Sequence, residues 1–525
     1  MTLQDQIAPD TGSRNVPDSR GMNAFRADPA FAALLSLYLP PDLRPVLEQQ
    51  LDRMGALVGD RLEQLALAAD RNPPVLSLRD RTGAACQRVE KHPAYHELER
   101  YAFGEFGLAA MSHRGGVFGQ PDKLHPMAKY ALVYLFVQAE FGLCCPLSMT
   151  DSLTRTLRKF GSNDLVSRYL DRLTSQDMDS LFQGAMFMTE QAAGSDVGAV
   201  ETVARRQQDG SWRLYGDKWF CSNPDAALAM VLARPEGGGA GTAGLSLFLL
   251  PRCLPDGSLN NYRIVRLKDK MGTRSMASGE IVLEGAEAYL VGDAGQGFRQ
   301  MTDMINMSRL ANGVRSAGLM RRSVSEALHV SRHRQAFGKP LIAMPLMRRQ
   351  LAKMLVASEQ ARSMVFQTAA VLDAADRGDA EMARVLRILT PLIKFRACRD
   401  ARKVAGDAME VRGGCGYIEE WSDARVLRDA HLGSIWEGTS NIVALDVMRA
   451  ARREGAFDAL RAYLRDCLSG IDAALAEPLG QVLDRVGGLV GAVSGQDGPT
   501  AIGETRRAAS AVYNLASAVF LASEG

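Results

Sequence analysis

The segment Ser434-Ile-Trp-Glu-Gly-Thr-Ser-Asn441 sets a carboxylate, Glu437, between an indole and a glycine. An acid so placed is partly withdrawn from water, which suits it to taking a proton from carbon. It reads equally as a helix N-terminal Glu favoured by the dipole. Met188-Thr-Glu-Gln-Ala-Ala-Gly-Ser-Asp196 gathers hydroxyls, an amide and a glycine. Gly194 would let backbone N–H groups approach an anion and Ser195 would add a donor, although the same stretch also reads as a loop closed by Asx and Ser caps. In Gly216-Asp-Lys-Trp-Phe-Cys-Ser-Asn223, Trp219 and Phe220 fall on opposite faces of a strand. One can pack in a core while the other covers a planar ligand, and core packing alone accounts for the pair too. Glu410-Val-Arg-Gly-Gly-Cys-Gly-Tyr417 permits left-handed backbone, as in an anion or cofactor clamp or a plain helix stop. Lys268 to Ser275 is a glycine turn studded with cations, whose simplest reading is a solvated hairpin.

Neither GxGxxG nor a P-loop occurs, so a nucleotide held on a Rossmann or Walker cradle is not expected. The eight cysteines show no CxxC spacing and no pairing with nearby His, which argues against a metal site, an iron–sulfur cluster and a disulfide framework.

These residues need elements to hold them. Residues 1–22 are polar and predict a flexible tail, and 23–183 follow a helical pattern broken at Asn72-Pro-Pro74, Gly115-Gly116 and Pro121. Between 184 and 290 come short runs such as Leu245-Ser-Leu-Phe-Leu-Leu250 separated by Gly and Asp turns, which predict a β domain. The helical period returns over 291–450, as expected of a four-helix bundle, and 451–525 form a helical extension. Strands segregated in the middle indicate an α+β chain of separate α and β domains, not a doubly wound sheet.

At 525 residues and 46% hydrophobic, the chain can bury several cores, and its formal charge of +2 gives no global field for nucleic acid or anionic membrane. The first residues contain no apolar signal core, and the free-thiol pattern fits a reducing cytoplasm. Two apolar stretches, 130–149 and 508–522, read as buried core helices and not as membrane spans.

The succession of six motifs, from the Met188 turn through Lys218-Trp-Phe, Lys270-Met-Gly-Thr-Arg-Ser275, Arg334-Gln-Ala-Phe-Gly338 and the Gly413 turn to Trp436-Glu-Gly438, resembles the acyl-CoA dehydrogenase flavoprotein family. Asn72-Pro-Pro74, His92-Pro-Ala-Tyr-His96, Leu267-Lys-Asp-Lys270 and the C-terminal extension look most like its AidB branch. The resemblance implies an N-terminal helical domain, a middle β-barrel or sandwich and a C-terminal four-helix bundle, with FAD held between the last two in a homotetramer. It implies that Met188 and Thr189 bond the flavin edge, Ser195 the pyrophosphate, and that Phe220 and Ser222 pack on and bond the ring. Arg334 and Phe337, Glu410, Gly413 and Gly414, and Thr439 and Asn441 would meet the rest of the dinucleotide, while Arg309 would meet substrate. Glu437 would remove the α-proton of an acyl-CoA as the β-hydrogen leaves as hydride to the flavin, whose electrons pass to an electron-transfer flavoprotein. Where that family has Pro and Asp this chain has Gln191 and Asn306.

Members of the AidB branch are associated with duplex DNA in the alkylation response, which supplies a second reading. Beyond Ala450, however, seven arginines face nine acids, and the denser cationic run is Lys394, Arg396, Arg399, Arg402 and Lys403. A solvated helix face or intersubunit ion pairs explain that run better than DNA contact does.

Overall fold

The structure is a computed structural model that describes residues 16–495 and 498–525. The N-terminal part comprises helices α1 (Pro29–Tyr38), α2 (Arg44–Gly59), α3 (Arg61–Arg71), α4 (Pro93–Glu99), α5 (Pro126–Phe136), α6 (Cys144–Phe160) and α7 (Asn163–Leu173). A hairpin of β1 (Val75–Arg79) and β2 (Ala85–Glu90) interrupts them, which the helical reading of this region did not contain. Its strands are largely exposed, so no apolar alternation marks them in the sequence. The expected loose tail is held at its described end: Gly21 N–H donates to Gly59 O at 2.9 Å, Ser19 Oγ to Glu326 Oε1 at 2.6 Å, and Arg412 Nη1 to Pro17 O at 3.2 Å. Residues 1–15 of that tail lie outside the described residues.

Strands β3 (Gly184–Phe187), β4 (Val203–Arg206), β5 (Trp212–Ser222), β6 (Leu228–Pro235), β7 (Ser246–Pro251), β8 (Tyr262–Leu267) and β9 (Ser278–Val291) make one sheet. The pairings β4–β5, β5–β9, β9–β7, β7–β6 and β6–β4 close a circuit, so the sheet is a small barrel with β3 and β8 added at its sides. Residues 228–233 of β6 and 247–250 of β7 are apolar without a break because both of their faces are covered. Alternate residues serve two interiors: Ala229, Val231, Ala233, Phe248 and Leu250 fill the barrel, while Leu228, Met230, Leu232, Leu247 and Leu249 pack against helices.

The C-terminal part is built on α8 (Gly297–His333), α9 (Pro345–Asp376), α10 (Ala380–Arg412) and α12 (Ser440–Glu454), with α11 (Ser422–Leu432) across one end. The extension is α13 (Ala456–Ser469), α14 (Ala473–Ser494) and α15 (Pro499–Glu524). Its Leu460, Leu464, Val512 and Phe520 share a continuous apolar core with α1, α5 and α9. The two apolar stretches that could suggest membrane spans fall in α5, α6 and α15 with most residues buried, and no helix among the described residues is long and apolar enough to cross a membrane.

The long α8 governs the site. Gly318 lets α8 press on α5, since a Cβ there would collide with Val137 and sit 2.6 Å from the Tyr134 carbonyl oxygen. That close approach fixes the helix whose next turns back carry Ser308, Asn312 and Arg315.

Candidate active site

Glu437 lies in the turn between α11 and α12, three residues before Ser440 opens α12. The helix-dipole reading therefore does not apply to it: its backbone is left-handed at φ +55°, and Gly438 follows at φ +101°. A β-carbon in that region is strained, so the turn must be held from outside. Lys394 on α10 does this by donating to Gly438 O, and Arg309 Nε approaches Glu437 O at 3.5 Å. Burial pushes the Lys394 ammonium down to about 8.

α8 presents the partners of the carboxylate. Ser308 Oγ donates to Glu437 Oε1, and Asn312 Nδ2 donates to Oε2. The spacing of four residues stacks the two donors on one helix face. The Asn312 Oδ1 accepts from Trp436 Nε1 at 2.7 Å. Behind the indole, Phe141 stacks at a centroid distance of 6.0 Å, and the Arg315 guanidinium lies 4.9 Å from the Trp436 ring. Arg315 is fully buried, and its Nη1 has no hydrogen-bond partner.

In front of Glu437 opens a cavity of about 1240 Å³ between the barrel, α8 and α12. Six of the residues singled out from the sequence line it: Met188, Gly194, Ser195, Asn306, Arg309 and Glu437. Arg309 is committed to Asp446 at 2.5 Å. Burial pushes the Asp446 carboxyl up, but Arg309 and Arg387 overcome this and hold it below its ordinary value.

The loop carrying Met188, Thr189 and Ser195 is pinned at its root by Glu190, whose Oε1 accepts from the buried Lys218 Nζ at 2.5 Å and from Thr202 Oγ1 at 2.5 Å. Trp219 N–H donates to Thr189 O at 2.8 Å, which ties this loop to the end of β5 where Phe220 and Ser222 stand. Phe220 is 56% exposed at the end of a barrel strand, and the Cβ position of Gly194 meets nothing within 4 Å. An uncovered ring beside an open loop with hydroxyl and backbone donors fits a planar dinucleotide.

The remaining predicted residues do not line this cavity. Arg334 caps α8, Phe337 stands 92% exposed on the short turn after it, and Glu410, Gly413 and Gly414 end α10 at the surface. Thr439 caps α12, and the Asn441 Oδ1 accepts from Arg506 at 3.4 Å. Phe337 and Gly413 both have left-handed backbones.

One simpler reading of the sequence is corrected. The run from Lys268 to Ser275 is not a solvated hairpin: Lys270 Nζ donates to Met276 O at 2.6 Å, Thr273 N–H to Asp429 Oδ1 at 2.6 Å, and Ser275 Oγ to Glu140 Oε1 at 2.7 Å. Burial, opposed by Arg425 and the Thr273 N–H, pushes the Asp429 carboxyl up to about 7. Of the cationic run on α10, Arg399 lies near Arg402 and Arg506, while the other three are held within the chain. Lys394 is buried under Gly438, Arg396 pairs with Asp400 at 3.2 Å, and Lys403 with Asp407 at 2.6 Å.

Sequence reasoning missed Ser308, Asn312 and Arg315. The available signal was a row of polar residues within a helix buried on nearly every side.

Residues 15–180 match the adaptive response protein AidB N-terminal domain, 185–286 the acyl-CoA dehydrogenase middle domain, and 295–452 the acyl-CoA dehydrogenase C-terminal domain. AidB of Escherichia coli (strain K12) is 37% identical over 409 residues, spanning 76% of this chain and 73% of that protein. Acyl-CoA dehydrogenase family member 11 of Caenorhabditis elegans is 34% identical over 438 residues, 81% of this chain and 70% of that protein. The crystal structure of C. elegans ACDH-11 in complex with C11-CoA matches with a TM-score of 0.90 at 28% identity, covering 100% of this chain and 91% of that one.

Proposed function

Because the chain belongs to the acyl-CoA dehydrogenase family, in its AidB-like branch, we propose that it is an FAD-dependent oxidoreductase that desaturates an acyl-CoA between its α and β carbons with Glu437 as base. The observation that carries this reading is the large cavity ending at a carboxylate whose two oxygens are held by α8. Glu437 takes the α-proton as the C–H electron pair moves toward the thioester carbonyl, and its own backbone N–H is the donor assigned to that carbonyl oxygen. The bound FAD supplies the acceptor for the β-hydrogen, which leaves as hydride.

Met188, Thr189, Ser195, Phe220, Ser222, Thr439 and Asn441 are the residues of this chain that would hold the cofactor. Arg334, Phe337, Glu410, Gly413 and Gly414 are assigned to the same dinucleotide across a homotetramer interface, which accounts for an exposed phenyl ring far from the cavity. The substrate class is supported by the C11-CoA complex of the worm relative. At the mouth, Arg299 and Arg453 are exposed, line the cavity and have no ion pair among the described residues, so they suit the phosphates of coenzyme A. Arg309, bound to Asp446, shapes the substrate wall. Electrons pass onward to an electron-transfer flavoprotein, in the cytoplasm. The DNA-binding reading is not favoured: Lys394 is buried under Gly438 and Arg396 and Lys403 are paired, which leaves only Arg399 and Arg402 of that run.

The test is Glu437→Gln. The variant is expected to purify yellow, with FAD bound, and to lose at least about a hundredfold in the anaerobic rate of flavin bleaching by an acyl-CoA. Bleaching at the wild-type rate would reject Glu437 as the base.

A further inference from the structure

Trp436 and Asn312 stand behind the proposed base and are not explained by it. An indole N–H can only donate, so the contact of 2.7 Å from Trp436 Nε1 fixes which end of the Asn312 amide faces it: the oxygen. The amide nitrogen is thereby turned toward Glu437 Oε2 and cannot swap. The indole stacks on Phe141 within 18° of parallel, and the Arg315 guanidinium lies beside both rings, 4.9 Å from Trp436 and 5.7 Å from Phe141. Arg315 reaches only Ala311 O at 3.1 Å and Ser148 Oγ at 3.4 Å, and it has no carboxylate partner among the described residues. A buried cation without a counter-ion favours negative charge nearby.

We infer that Asn312 is a positioning residue that aims the Glu437 carboxylate at the cleft by donating to its Oε2, with Trp436 setting the amide's direction; this rests on Glu437 being the base. The two α8 donors differ in kind. The Ser308 hydroxyl rotates, so it donates to the ionised acid and accepts from the protonated one. Asn312 offers Glu437 only N–H, which bonds a charged carboxylate oxygen more strongly than the carbonyl oxygen of the protonated acid. When the α-proton reaches Glu437, the C–H bond breaks, an O–H bond forms on the carboxyl, and the electron pair stays on the thioester as its enolate. The protonated acid is then turned to Ser308.

Other charged and titratable groups also surround Glu437. They are Arg309 and Arg315 from α8, Lys394 and Cys398 from α10, Cys145 from α6, and Asp446 from α12, which is held by Arg309. All of them remain in the variants chosen below.

The experiment uses the FAD-loaded enzyme and a 3-thiaacyl-CoA, which can lose its α-proton but is not desaturated. Its enolate beside oxidised flavin gives a long-wavelength absorbance band whose pH titration reads the base directly, without turnover. In Asn312→Asp a carboxylate replaces the donor, and the acid limb of the band is expected to move up by at least one pH unit, so that about tenfold less enolate forms below it. Trp436→Phe removes the indole N–H but keeps the ring, freeing the amide to turn, and should move the limb in the same direction by less. If Asn312→Asp fails to retain flavin, Trp436→Phe decides alone. Limbs that superimpose on the wild type in flavin-loaded variants overturn the assignment of Asn312, since a merely structural role would change melting and not the limb. A wild-type enzyme that gives no band at any pH overturns the base itself, and this inference with it.

Discussion

The residues proposed to do the chemistry are few, and their surroundings matter as much as their identity. Glu437 drew notice in the sequence because Trp436 and Gly438 flank it and because it falls last in an ordered succession of six motifs. Asn312 was not, since it lies 125 positions away and only the packing of α8 against the turn brings it there. Asp429 gives a prediction at this scale. Its carboxyl sits near 3.8 in an unfolded chain and is pushed up to about 7 by burial, so the folded protein binds that proton more tightly. Its contribution to stability is complete below about 4 and is lost as pH rises through about 7. Asp429→Asn keeps an oxygen for the Thr273 N–H and should flatten the fall in melting temperature between pH 4 and 7. Profiles of equal slope would show that Asp429 titrates in the folded protein as it does in water.

At the scale of elements, α8 is the ruler for the site. Its length and polar stripe could be anticipated from residue types, but not its depth against α5, which depends on one missing methyl group. Gly318→Ala should cost about 1–3 kcal/mol, because the added carbon meets a backbone oxygen that cannot move aside cheaply. Asn312 and Ser308 would shift with the helix, so flavin bleaching by acyl-CoA should slow as well. Thermal melts and stopped-flow rates check both, and an unchanged melt would mean that α5 yields. The barrel strands were readable for a different reason: runs such as Leu245 to Leu250 are too apolar and too short for anything but a buried strand. The β1–β2 hairpin escaped because exposed strands carry no such signature.

For the whole molecule, the extension is structural and not an appendage. α15 lies along α9, with Gln360 Nε2 donating to Ser517 Oγ at 3.1 Å and Ser363 Oγ to Glu524 Oε1 at 2.9 Å, while Tyr38 of α1 donates to the same Glu524 oxygen at 2.7 Å. A chain stopped after Glu454 would uncover the apolar faces that Leu460, Leu464, Val512 and Phe520 now cover. It should elute as aggregate from a sizing column, and a monodisperse truncated protein with the parent melting temperature would refute a supporting role. The sequence announced these helices by their periodicity, but not which surface they would occupy, since many apolar stripes could have received them. The two-sided strands β6 and β7 constrain how such a protein can change over time. One inserted residue there would exchange the side chains of two interiors at once, in β6 sending leucines and methionine to barrel positions now held by Ala229, Val231 and Ala233. Length can therefore vary between strands but hardly within these two, so insertions and deletions among descendants should collect in the 236–245 connection and spare its flanks.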